Sequence, residues 1–269
     1  MSFPSISRRK AILGAACSLL LAACGSLPTE SAVDRQVVLM TSGGFASTSE
    51  ELVPAFEQSR RIPVRIVYGS SMGGAADSIP SRLNRNEPAD VVILARTALD
   101  ELVAKGQVIP GSQVDLVHSL IGIAVRKGAP KPDISTPEAV RQALLGAPSI
   151  AYSASASGTY YEREMLKSLG IEEQVKPKSK RIVSERVGTI VARGEASMGL
   201  QQVSELLPIE GIDFVGALPA PLQRTTTFSA GVTTHARDPK GAQELIQFLV
   251  SKDAAPVILK NGLVPASKN

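Results

Sequence analysis

Cysteine is nearly absent: two occur in 269 residues, Cys17 and Cys24, both inside or at the edge of an N-terminal leader. Beyond that edge the chain can form neither a disulfide nor a cysteine metal site, so its stability must come from packing. Histidine is as scarce, with only His118 and His235, and the dyads of common hydrolases and the clusters that ligate zinc are missing. No phosphate-binding glycine loop occurs, nor any internal repeat, and no cofactor or metal is implied. A membrane-spanning helix is lacking too. It would want about 20 apolar residues, and the apolar run AILGAACSLLLAAC, residues 11–24, is shorter.

What stands in that place is an export signal. Arg8, Arg9 and Lys10 precede the short apolar run, the order of a secretory leader. The run ends in Leu21-Ala22-Ala23-Cys24-Gly25, which resembles a bacterial lipobox. Residues 1–23 are therefore expected to be removed and Cys24 to carry a lipid, anchoring a periplasmic protein through residues 24–35 as a tether. An ordinary signal-peptidase cut is the alternative. Ser7-Arg8-Arg9 also resembles a twin-arginine signal, although Ala11 stands where that motif prefers a bulky apolar residue. Charge is nearly balanced once the leader is gone: 29 basic residues less three leave 26, against 25 acidic ones. The pI of 9.1 thus gives no reason to expect nucleic acid as a partner. About 245 residues remain, enough for one large core or two moderate ones.

Their pattern alternates. QVVLMTS (36–42), VRIVYG (64–69) and DVVILA (90–95) read as strands, separated by the helical stretches 46–59 and 75–86, with a further helix after 95. A strand at 119–128 follows, and the rhythm restarts with a helix 136–145, a strand 149–152, a helix 158–169, and further strands and helices as far as 261. Buried strands flanked by helices predict an α/β fold with mainly parallel sheets. Two such units in one exported chain predict a two-lobed clamp. Crossing strands near 118–127 and 225–234 divide it into lobe one, residues 36–117 plus 235–269, and lobe two, residues 118–234.

In such folds ligands sit outside the carboxyl ends of the strands, facing helix N-termini. Four corners of this kind are rich in small hydroxyl residues: Thr41-Ser42-Gly43-Gly44, Gly69 to Gly74, Tyr152 to Thr159, and Ser184 to Gly188. Glycine admits a close ligand and serine adds a neutral donor, which suits an anion with several oxygens. Capping a helix is the commoner role for any single serine among them, whereas all four corners at corresponding strand ends favour an anion pocket.

From about residue 36 onward the chain resembles the molybdate-binding type of extracytoplasmic solute-binding protein, a clamshell that feeds importers of small oxyanions. The resemblance rests on Ser42 at the first strand end, Gly69-Ser70-Ser71 at the second, Pro88-Ala89-Asp90-Val91, the crossing strand near 118–127, and Gly194-Glu195-Ala196 before Met198-Gly199-Leu200. It implies anion contacts from Ser42, from Ser70 or Ser71, and from the amide of Val187. A family tyrosine is replaced, since Gly199-Leu200 leads here into Gln201-Gln202. Gln202 fits a carboxylate or hydroxyl better than a tetrahedral metal oxyanion. Hydroxyls at Ser155 and Thr159 widen the third corner, so a multi-carboxylate ligand is expected, with Gly43 and Gly158 giving close approach.

One branch of the resemblance is enzymatic. The segments SGGF, SSMGG and GLQQVSELLP are similar to bacterial aconitate isomerases, which interconvert cis- and trans-aconitate by an allylic proton shift. That chemistry needs donors for three carboxylates and one group that can shuttle a proton. His118 and Tyr160 are the sequence's catalytic candidates, one near the expected hinge and the other in the first turn of a helix. The alternative is a non-catalytic binding protein for oxyanions or organic acids, working with an ABC permease.

Overall fold

The computed structural model describes residues 35–72 and 74–266. The leader, Cys24 and all of the tether but Arg35 lie outside them.

Two mixed sheets organise the chain. The first has the order β11-β4-β10-β3-β1-β2 and the second β7-β6-β8-β5-β9. In the first, β1 (Val37–Thr41), β2 (Val64–Tyr68) and β3 (Val91–Ala95) pair in parallel. β1 and β3 are buried at every residue, as unbroken apolar runs covered on both faces must be. In the second, β6 (Ile150–Ser153) pairs in parallel with β7 (Ser179–Ile182) and β8 (Met198–Gln202). The remaining strands run antiparallel, so each sheet carries a parallel half and an antiparallel half.

The antiparallel halves come from the segments that cross between lobes. The strand expected at 119–128 is β5 (Ile121–Arg126) of the second sheet, and a strand not expected from sequence, β4 (Val114–Ser119) of the first sheet, precedes it with Leu120 alone between them. The chain returns after β9 (Ile212–Ala217), which pairs with β5. β10 (Thr226–Val232) lies between β3 and β4. The return therefore precedes β10, whereas the sequence reading set it at residue 234. Gln223 ties the two crossings together: its Oε1 accepts from the Ile121 amide at 2.8 Å, and its Nε2 donates to the carbonyls of Ile121 and Leu218 at 3.0 and 3.1 Å.

The helix Pro239–Leu249, followed by the shorter Ala255–Lys260, starts on Asp238, whose carboxylate accepts from the Gly241 amide at 2.9 Å, with proline at the first helical position. It buries Ala242, Leu245, Ile246 and Leu249 against Val37, Leu39 and Phe45 of the first lobe. The short β11 (Leu263–Pro265) then closes the edge beside β4. Asp90 sits buried where these pieces meet, accepting from the amides of Val38, Arg237 and Asp238. In the second lobe a separate core gathers Ile121, Ile123, Val140, Leu144, Tyr161 and Met165.

Candidate functional site

A cleft of about 220 Å³ lies where the carboxyl ends of β1, β2, β6, β7 and β8 face one another. One wall is made by residues 42–44 and 68–71, the other by 153–157, 182–186 and the segment after β8. This is where a parallel sheet hands its strands to helix N-termini.

On the first wall Ser42 caps the 18-residue helix Gly43–Arg60 without using its side chain. Only 2% of the residue is exposed, and its Oγ has no hydrogen-bond partner among the described residues. A buried hydroxyl left unpaired is costly, and the first amides of a helix have no intrahelical acceptor. Both are neutral donors at the start of one helix. Ser71 is also buried; its Oγ accepts from the Ala95 amide at 3.0 Å, which leaves its proton for a ligand. Ser70 differs, because its hydroxyl already donates to the Met72 carbonyl at 2.8 Å.

The second wall carries the ionisable groups closest to the helix start. Gln202 lines the cleft with Nε2 on Thr226 Oγ1 at 2.9 Å and a buried, unpartnered Oε1. A half-turn of that amide, with Thr226 donating instead, presents a donor to the ligand. Arg186, at the start of the helix Val187–Ala192, is the one cation lining the cleft, and among the described residues it makes no ion pair. Glu205 stands on the four-residue helix Val203–Leu206 that follows β8 directly. A Cβ at Gly43 would come within 2.1 Å of its Oε1, so the carboxyl packs against the glycine that opens the facing helix. Burial pushes Glu205 up to about 7, against the opposing pull of Arg186 and a hydrogen bond from Gln201. Ser204 fastens the same short helix across the cleft, its Oγ donating to the Gly44 carbonyl at 2.8 Å.

Of the residues expected from sequence, Ser42, Gly43, Ser70, Ser71, Ser155 and Gln202 meet in this cleft. The others serve elsewhere. The Val187 amide donates to Gln201 Oε1 at 2.9 Å and is unavailable to a ligand. Gly158 is required by packing: a Cβ there would fall 1.6 Å from the Ser153 carbonyl oxygen. Thr159 touches Met72 Sδ at 3.9 Å, joining the second lobe to the 70–72 corner. His118 lies in β4 with Nδ1 3.1 Å from Thr227 Oγ1, and Tyr160 donates to the Leu222 carbonyl at 2.9 Å beneath the Arg224 guanidinium. Neither catalytic candidate lines the cleft. Gln201, Arg186 and Glu205 were not among the expected site residues.

Comparisons with known proteins agree with this geometry. Residues 37–264 match the model of the family described as bacterial extracellular solute-binding protein. A Pseudomonas protein named aconitate isomerase is 45% identical over 229 residues, 85% of this chain and 87% of that one. Among solved structures, the periplasmic molybdate-binding protein of Azotobacter vinelandii superposes with a TM-score of 0.65 at 20% identity, covering 85% of this chain and 98% of that one. PEB3, known from Campylobacter jejuni, in its L-phospholactate-bound form gives 0.65 at 16% identity, covering 85% and 99%. The chain belongs to the bacterial extracellular solute-binding proteins.

Proposed function

We propose that the protein is an exported isomerase that interconverts cis- and trans-aconitate in the cleft between its lobes. The observation that carries this reading is the 45% identity to the Pseudomonas aconitate isomerase across 85% of the chain. The cleft supplies the matching chemistry. Ser42, Ser71 and the open amides at the helix start offer neutral donors to carboxylates, Arg186 offers a charge-assisted pair, and Gln202 and Ser155 line the far side. Donors fixed in advance, with no solvent to reorganise, stabilise charge that grows on a carboxylate as a neighbouring C–H bond breaks.

Export and anchoring belong to the same proposal: cleavage before Cys24 and acylation of its thiol would hold the enzyme at a periplasmic membrane face. Incorporation of labelled fatty acid tests the anchor. The activity is tested by mixing purified protein with each aconitate isomer and following the other isomer by proton NMR. Interconversion from both sides to one equilibrium mixture is expected. Tight binding without interconversion would instead make the protein a carrier that delivers its anion to a permease.

A further inference from the structure

An allylic shift needs one group that takes a proton from a methylene carbon and supplies a proton two bonds away. The group must touch the ligand space, hold a defined orientation, and accept and release a proton near neutral pH. The cleft contains few groups that can meet all three demands. Among the described residues no histidine or cysteine lines it. Tyr68 donates to Glu50 Oε1 at 2.8 Å and is raised to about 12 by burial and by that bond. Glu185 is held by Arg193 through two bonds of 2.9 and 3.1 Å, which lower it. Asp77 lines the first wall, but no hydrogen bond fixes its carboxylate.

Glu205 is different in each respect. Its Oε1 receives Gln201 Nε2 at 2.9 Å, while Oε2 has no hydrogen-bond partner among the described residues. Gln201 is itself locked, because its Oε1 accepts the Val187 amide. That contact dictates which end of the carboxamide is the acceptor, so the other end must donate to Glu205. The relay from Val187 through Gln201 to Glu205 thus orients one carboxylate oxygen and leaves the other for the ligand. Gly43 makes the room: any side chain there would meet the carboxyl. The ionisable groups sharing these walls are Tyr68 and Asp77 on one side and Glu185 and Arg186 on the other.

We infer that Glu205 is the proton carrier of the isomerisation, and that Gln201 positions it; the inference rests on the aconitate reading above. The carboxylate removes a proton from the methylene carbon of bound aconitate. The C–H electron pair becomes the new double bond, the old π pair moves to the far carbon, and that carbon takes a proton from the Glu205 carboxylic acid. Nothing is oxidised or reduced, and the carboxylate is regenerated. Burial supports this role, since a carboxyl raised to about 7 exchanges its proton readily at neutral pH.

The test compares the wild type with E205Q, E205D and D77N, measuring turnover by NMR and trans-aconitate affinity by calorimetry. E205Q should bind trans-aconitate within a few-fold of the wild type while kcat falls by about 10²–10⁴-fold. E205D should keep part of the activity, and D77N, at the other carboxylate lining the cleft without an orienting donor, should lower kcat far less than E205Q. The wild-type kcat/KM should show a limb near pH 7 that is missing from the residual activity of E205Q. An active wild type with an equally active E205Q, or with kcat lost in D77N instead, overturns the assignment and leaves the isomerase reading intact. A wild type without turnover overturns both.

Discussion

The two walls of the cleft are built from the same kind of corner yet do different work. The first lobe presents the neutral donors Ser42, Ser71 and a helix start beside the ionisable Tyr68 and Asp77. The second presents Arg186 and the Gln201–Glu205 pair, groups that carry or exchange charge. Proposed binding donors thus stand on both walls, Arg186 on the second, whereas the proposed proton carrier Glu205 stands on the second alone. A cleft able to seat an oxyanion acquires catalytic chemistry when one carboxyl is brought across it and desolvated.

The largest expected effect concerns Glu205 in the empty protein. Its folded value, raised from 4.5 to about 7, means the fold favours the protonated carboxyl. Below pH 4.5 both folded and unfolded chains carry the proton and nothing is lost. Between 4.5 and 7 the unfolded chain ionises first, so stability declines as pH rises, and above 7 the full penalty remains. About 2.5 pKa units correspond to a loss on the order of 3 kcal/mol. Glu205→Gln should therefore gain up to about 3 kcal/mol over the wild type at pH 8 compared with pH 4.5, measured by urea denaturation. A stability difference independent of pH would show that the second wall holds no perturbed carboxyl.

Next in size is Arg186→Ala. Removing the unpaired cation should weaken trans-aconitate binding by about 30-fold, or 2 kcal/mol, the low end for losing a charged partner because Arg186 keeps partial exposure. Unchanged calorimetric affinity would assign anion binding to the neutral wall alone. The smallest effect is expected at Ser70, whose proton is committed to Met72. Ser70→Ala should change affinity by less than about threefold, below the range for a direct hydrogen bond to a charged group. A loss of tenfold or more would mean that Ser70 turns its hydroxyl to the ligand.

The same contrast separates what was legible in the sequence from what was not. Apolar runs such as VVILA and helix signals such as Asp238-Pro239 announce strands and starts directly, so the alternating order was readable. β4 and the break at Leu120 were not, because VDLVHS carries Asp115 and His118 and makes no apolar run, and nothing local says that β4 and β5 join different sheets. The antiparallel halves depend on the same long-range crossings. In the site, the first wall was visible because hydroxyl and glycine residues recur at corresponding strand ends, although any one serine there reads as a helix cap. The second was hidden in GLQQVSELLP, where a four-residue helix gives no periodicity and a lone Glu reads as a solvated surface residue. Gly43, approaching from the other lobe, packs against its carboxyl and leaves the residue partly exposed. Val187 illustrates the converse: the resemblance assigned its amide to the ligand, but Gln201, beside the Gln202 that stands in place of the family tyrosine, takes that amide for itself.

The division of labour between the walls is tested most directly by measuring trans-aconitate affinity and turnover together on one variant from each, Ser42→Ala and Gln201→Ala. The account predicts a split. Ser42→Ala should weaken binding by about tenfold to 100-fold, the value of a hydrogen bond to a carboxylate, with kcat reduced less than affinity. Gln201→Ala should lower kcat by about tenfold or more while affinity stays within a few-fold, and should move the pH limb near 7, because Glu205 loses its orienting donor. If both variants lose affinity and turnover in the same proportion, the two walls act as one and the account is contradicted.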